Sequence, residues 1–420
     1  MYKKKVLKNG LRMILAPLQE TKTANILALF RVGSRYESKK LNGASHFVEH
    51  MMFKGTKKRP NTLELSKVLD GVGAEYNAFT DKDYTGYYIK ADNKHLQLAI
   101  DVISDMLLES KFDEKEVERE KGVIVEEINM YEDNPLLFVE ENMHKIMYEN
   151  NPLGMLIAGS KESVKGVTRN ELFDYKNKMY SGKNAVICLT GNFLQKEIDL
   201  LEKKLSLFPA GTKNNFRKFS SDQKKPRLKL DFKDSEQVQI CLGFPAYSYS
   251  HKKNIILQML SIILGGNMSS RLFLSVRERQ GLAYYIHSSV SNFEDTGSLH
   301  VQAGLDKSRI FDAIKLIWEE LNKISKGVKA EELQRAKDFI SGKIAISLED
   351  SSSLARWYAL QELMIEKILT PEERIKEINR ITTKEIAEVA KELIIANKLN
   401  LAVIGPFKEE KKFRNLIESL

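Results

Sequence analysis

The chain has 420 residues, 42% of them hydrophobic and 29% charged, with a formal net charge of +9. This length points to about two or three domains, and the composition is that of a globular protein, not a disordered or fibrous one. Apolar stretches such as residues 254–264 are interrupted well short of the roughly 20 residues that cross a bilayer, and the lysines are scattered with no basic stripe carrying interleaved aromatics. Neither a membrane span nor a nucleic-acid partner is expected.

In chain order, strand patterns cover residues 5–17 and 25–32. The turn-forming loop GSRYESKKLNGAS then leads into a helix carrying HFVEH at 46–50. The loop KGTKKRPNT, a helix over 63–72 and two strands, AEYNAFTD and YTGYYIKA, come next. Amphipathic helices are expected at 95–109 and 114–132, with more helix past Pro135, and then the strand AVICLTG. Residues 113–141 carry eleven acidic side chains against three basic ones, a local exception in a basic protein. The opening MYKKKVLKNGLRMILAP lacks an apolar block followed by a small-residue cleavage site and reads as a mature start. Cys188 and Cys241 lie in apolar strand-like runs, which suits buried free thiols and a cytoplasmic location.

HFVEH sets the chemistry. At i and i+4 on a helix, His46 and His50 share one face and can present two imidazoles to one metal ion. Glu49 borders that face and is placed to take a proton from water on the metal while leaving the ion's charge to the ligands. The pentapeptide is the inverse of H-E-x-x-H. Two His on one helix face also fit simple solvation or core hydrogen bonding, so the rest of the chain decides between these readings. Zinc catalysis uses three protein ligands and an open position, and Glu127, on a helix that can cross the HFVEH helix, is the expected third.

Residues 211–226, GTKNNFRKFSSDQKKP, are polar and form the candidate linker between domains at 1–210 and 227–420. After it the order of elements returns: strand VQICLGFPAY, a helix over 253–264, strands AYYIHSSVSNF and GSLHVQAGL, and a helix over 308–325. VKAEELQRAKDFISGKI overlays FDEKEVEREKGVIVEEI at an offset of 216, and LNLAVIGPF overlays ICLTGNF at an offset of 214. The agreement implies a duplicated domain. The copies differ in chemistry, since Ala336 and Lys343 stand where the first has Glu120 and Glu127, and HFVEH occurs only in the first.

HFVEHMMFKGT, GAEYNAFTDKDYTGYY and EREKGVIVEEINMYEDNP together resemble the inverted-zinc-motif metallopeptidases of the pitrilysin, insulinase and mitochondrial processing peptidase family. The similarity covers essentially the whole chain and is closest to the branch of beta-like processing peptidases and bacterial processing proteases. It implies an α+β fold of two homologous domains, each a mixed sheet packed with helices, facing each other across a cavity. It places the third ligand of one Zn2+ per chain at Glu127, with Glu120 two turns earlier as an accompanying acidic catalytic residue and Glu126 off the metal face. Cobalt or manganese suit the same donors.

By themselves, Arg277 and Tyr284 fit a surface ion pair and a core aromatic. The resemblance of LGGNMSSRLFLSVRERQGLAYYIHSS to the family makes them donors to the developing oxyanion. The implied activity is that of a zinc endopeptidase acting on extended peptides, with Glu49 as general base. The peptide would add as a strand near Asn77, Ala78 and Phe79, and the acidic stretch suggests basic or amphipathic substrates. Relatives of this length form homodimers or heterodimers with a related subunit. Other relatives are non-catalytic scaffold or partner subunits that have lost the metal set, which this chain keeps.

Overall fold

Two mixed sheets organise the chain in the computed structural model, which describes residues 2–420. The first sheet contains β1 (Lys3–Val6), β2 (Arg12–Pro17), β3 (Thr23–Phe30), β4 (Glu75–Thr80), β5 (Thr85–Asp92) and β6 (Ala185–Gly191), in the spatial order β1-β2-β6-β3-β5-β4. The second contains β7 (Arg227–Phe232), β8 (Gln237–Ala246), β9 (Ala283–Asn292), β10 (Gly297–Asp306) and β11 (Asn400–Gly405), in the order β7-β11-β8-β10-β9. The first half contributes helices α1 (Ala44–Met52), α2 (Thr62–Asp70), α3 (Leu96–Glu109), α4 (Glu114–Asp133), α5 (Pro135–Met147), α6 (Lys161–Gly166), α7 (Arg169–Met179) and α8 (Gln195–Leu205). The second half contributes α9 (Asn254–Gly265), α10 (Ile310–Lys326), α11 (Ala330–Ser347), α12 (Ser351–Ile365), α13 (Pro371–Arg380), α14 (Thr383–Leu393) and α15 (Lys411–Ser419).

The duplication is visible in the sheets. Strands β2, β6, β3, β5 and β4 have counterparts β7, β11, β8, β10 and β9 in the same order. The one parallel pair in each series, β2 with β6 and β7 with β11, also matches, while the other neighbours are antiparallel. The fold is therefore α+β, built twice from one plan.

The compact units do not follow a single cut at 211–226. The first unit comprises Met1–Asn129, Met155–Arg217 and Ile344–Thr370, and the second comprises Met130–Gly154, Lys218–Lys343 and Pro371–Leu420. The two sheets lie on either side of residues 211–226, while α5 packs with the second sheet and α12 with the first. The cause is the surface each helix covers. Helix α12 packs on β2, β3 and β6, where Thr190 Oγ1 donates to Ser351 O at 2.7 Å and Arg12 Nη1 donates to Glu362 O at 3.2 Å. Helix α5 packs on β7, β8 and β11. Amphipathic periodicity shows that a helix needs a partner, but not which sheet supplies it.

In the first unit, alternate residues of β3 (Ile26, Ala28, Phe30) join Phe47, Val48 and Met51 of α1 and Ile100 and Ile103 of α3 in one core. Alternation sends Thr190 of β6 to the opposite face, under α12. Strand β6 is buried at every residue because both faces are covered. Both cysteines are free and buried, and no helix among the described residues is long and apolar enough to cross a membrane.

Candidate metal centre

Helix α1 carries the motif and is held at its start by a side chain from outside the helix. Its N-cap, Gly43, has φ +93, and a Cβ there would lie 2.6 Å from Ala158 O, so glycine is required on both counts. The N-terminal N–H groups of α1 are instead met by Glu37, whose Oε2 accepts from Gly43 N and whose Oε1 accepts from Ser45 N, both at 2.7 Å. Asn42 Nδ2 donates to the same carboxylate at 3.1 Å. The carboxylate thus does the work of a cap and complements the helix dipole.

Burial pushes the Glu37 carboxyl up to about 7, against the hydrogen bonds from Ser45, Gly43 and Asn42 that favour the charged form. A carboxyl held more tightly protonated in the folded than in the unfolded state stabilises the fold fully at low pH, and this contribution fades as pH rises through 7. The expected result is a loss of about 3 kcal/mol from this group between pH 4.5 and 7. It would be measured as the difference between chelated wild type and Glu37→Gln in denaturant unfolding. Parallel pH profiles for the two proteins would exclude it.

His46 and His50 stand one turn apart on α1, their ring centroids 4.5 Å apart. Helix α4 presents Glu127 to both, with Oε1 at 3.6 Å from His46 Nε2 and Oε2 at 3.6 Å from His50 Nε2. Those separations are too long for hydrogen bonds. They match the spacing of tetrahedral ligands on one zinc ion, which at bond lengths of about 2.1 Å sit roughly 3.4 Å apart. The three residues offer donor atoms within 4.8 Å of one another. Burial first, then His50, pushes the His46 imidazole down to about 3, which keeps it in the neutral form a metal needs. The donor set therefore fits a zinc-class ion.

Glu49 points to the neighbouring strand, where Thr80 Oγ1 donates to its Oε2 at 2.6 Å. Burial raises the Glu49 carboxyl above its usual range and Glu127 adds to the rise, while Thr80 and His50 pull the other way. A carboxylate shifted toward neutrality is suited to proton transfer. Glu120, two turns before Glu127 on the same face of α4, is buried with Oε2 3.5 Å from His50 Nδ1 and 2.7 Å from Lys54 Nζ. Its burial is outweighed by His50 and Lys54, which hold it below the usual carboxylate range. Glu126 is exposed and accepts from Asn129, off this face.

Thr80, Lys54 and Glu37 escape a linear reading. Each is an ordinary residue whose importance lies in a partner that only the fold supplies. Asn77, Ala78 and Phe79 lie on β4, one of the two edge strands of the first sheet. The Phe79 ring packs over Gly86, its partner in register, and edge-on to Tyr84 at 6.1 Å, whereas Asn77 is exposed. Arg277 and Tyr284 belong to the second unit. Arg277 lies exposed in a π-helical turn, Phe273–Arg279, with its guanidinium 4.8 Å from the Phe273 ring centroid. Tyr284, on β9, is 77% exposed, which excludes the core role open to it from composition alone.

Known proteins are similar to this chain in sequence and in fold. The model of the insulinase family (peptidase family M16) matches residues 12–161, and that of the peptidase M16 inactive domain matches 166–339. An uncharacterized zinc protease of Bacillus subtilis is 35% identical over 97% of this chain and 98% of its own length. A protease from Helicobacter pylori has a crystal structure that superposes with a TM-score of 0.89 at 22% identity, covering 97% of this chain and 99% of that one. A chain of complex III from Candida albicans superposes at 0.83 with 18% identity, covering 99% of each, a likeness of fold alone. The inverted motif, the clustering of His46, His50 and Glu127, the duplicated sheets and a full-length zinc-protease relative agree, and the chain belongs to the M16 peptidase family.

Proposed function

We propose that the chain is a zinc-dependent endopeptidase acting on extended peptides. The observation that carries this reading is the convergence of His46, His50 and Glu127 with Glu49 on one face of α1. When bound, zinc supplies the Lewis acidity that makes water nucleophilic near neutral pH. His46, His50 and Glu127 would hold one ion per chain. Glu49 takes the proton of the attacking water and returns it to the leaving amine, with Thr80 fixing its rotamer. Glu120, joined to Lys54, accompanies the catalytic set by acting through His50, in the manner of carboxylates that orient metal-bound imidazoles.

The substrate binds as an added strand along the edge strand β4, at Asn77, Ala78 and Phe79, where main-chain hydrogen bonds recognise an extended backbone with little regard to side chains. Arg277 and Tyr284 donate to the oxyanion. The acidic composition of α4 and α5 favours basic or amphipathic peptides. Pairing with itself or with a related subunit, and a cytoplasmic location suited to two free buried thiols, complete the reading. The intact ligand set favours an enzyme over a scaffold of the same fold.

Cleavage of a quenched-fluorescent basic peptide tests the proposal. Activity should disappear on chelation and return with zinc. A protein that holds zinc and cuts nothing across a broad peptide library, alone or mixed with a related subunit, would point to the scaffold role.

A further inference from the structure

The second unit brings together a set of metal-binding donors unrelated to HFVEH. Glu140 and His144 lie at i and i+4 on α5 and so share a face. That face meets β10, the strand between β8 and β9, at His300. Two local features bring the helix close. Gly243, opposite His300 in register on β8, has no side chain, and Met143 of α5 occupies the space a Cβ would need. Near the start of the helix, Gln302 Nε2 of the same strand donates to Leu136 O at 2.5 Å.

Glu140 Oε1 lies 3.2 Å from His300 Nδ1, and the His144 and His300 rings are 5.0 Å apart at 67°. The three residues offer donor atoms within 4.8 Å of one another. His300 is 1% exposed. Its Nδ1 makes no hydrogen bond of good geometry despite the nearby carboxylate. Its other nitrogen, Nε2, is 2.5 Å from the Oγ of Ser298, which is itself fully buried. This is the pattern of a ligating imidazole: one nitrogen faces the ion and the other is oriented by an outer hydrogen-bonding partner. Phe293 and Tyr148 wall the His144 side. Glu140 remains partly exposed.

We propose that Glu140, His144 and His300 form a second divalent-metal site, whose two imidazoles and one carboxylate suit a zinc-class ion. Its role is structural: it ties α5, which comes from the first half of the sequence, to the second sheet. It goes beyond the peptidase reading and does not depend on it.

The test uses the full chain with His46→Gln and His50→Gln, which removes the motif's imidazoles. This protein is equilibrated with zinc at about 10 µM, a level that saturates sites of micromolar affinity or better, and metal is then counted by mass spectrometry. The expected result is one zinc per chain, lost when His300→Gln or the more exposed Glu140→Gln is added. The melting temperature should rise with zinc in the parent but not in these variants, and cobalt loading should give visible d–d absorption in the parent alone. A folded parent that takes up no zinc would overturn the site. So would zinc that persists in both Glu140→Gln and His144→Gln. If His300→Gln does not fold, the Glu140→Gln count decides.

Discussion

Replacing Glu49 by glutamine should lower kcat/KM for a peptide substrate by about 10³-fold, within the range of general acid–base catalysis, while zinc content stays at the wild-type value. The amide keeps the size of the carboxylate and can still accept from Thr80 Oγ1, which lies 2.6 Å from Glu49 Oε2. It cannot take a proton. His46, His50 and Glu127 are untouched, so metal analysis alongside kinetics separates a lost base from a lost ion. A variant that retained activity would remove Glu49 from the mechanism, and one that lost its metal would make it part of the binding set. Thr80→Val should give a smaller loss, because it frees the carboxylate without deleting it.

The second large effect concerns stability. Arg35 and Asp83 form an ion pair at 2.7 Å with both side chains 1% exposed, and the Arg35 guanidinium also lies 3.6 Å from the Phe216 ring centroid. Arg35 lies in the loop before α1 and Asp83 in the turn joining β4 to β5, and the backbone adds Ser34 N to Asp81 O and Arg35 N to Lys82 O. This contact sets Thr80 beside α1. Asp83→Ala should destabilise the protein by about 3–5 kcal/mol, because it takes the carboxylate from a guanidinium that stays buried. Denaturant unfolding measures it, and a loss under 1 kcal/mol would show that the charge is met another way. Exchanging both residues for apolar ones should cost much less than Asp83→Ala alone.

The clustering of the motif residues on one helix face was legible because its information is local. His46, Glu49 and His50 fall within five positions, and helical geometry alone assigns them one face. Glu127 needed family resemblance to be chosen over Glu126, and the structure separates the two by orientation, with Glu126 exposed. The duplicated sheets were legible from two nearly equal offsets. The Glu140, His144 and His300 cluster was not, because it joins a helix to a strand that follows about 150 residues later, and nothing in α5 names its partner strand. The exchange of α5 and α12 was hidden for the same reason.

That exchange has a consequence for the nascent chain. As the first half leaves the ribosome, β2, β3 and β6 are all present, but the helix that covers one of their faces ends at Ile365. Until then Arg12 lacks the Glu362 carbonyl and carboxylate, Arg31 lacks the Leu363 carbonyl, and Thr190 lacks its acceptor. At synthesis rates of about 5–20 residues per second, an apolar face with unmatched polar groups waits for the order of ten seconds after β6 is made. A fragment ending at the linker would hold that state indefinitely, so separately produced halves should aggregate or bind a chaperone, and mixing them before either collapses should be the way to recover a folded product.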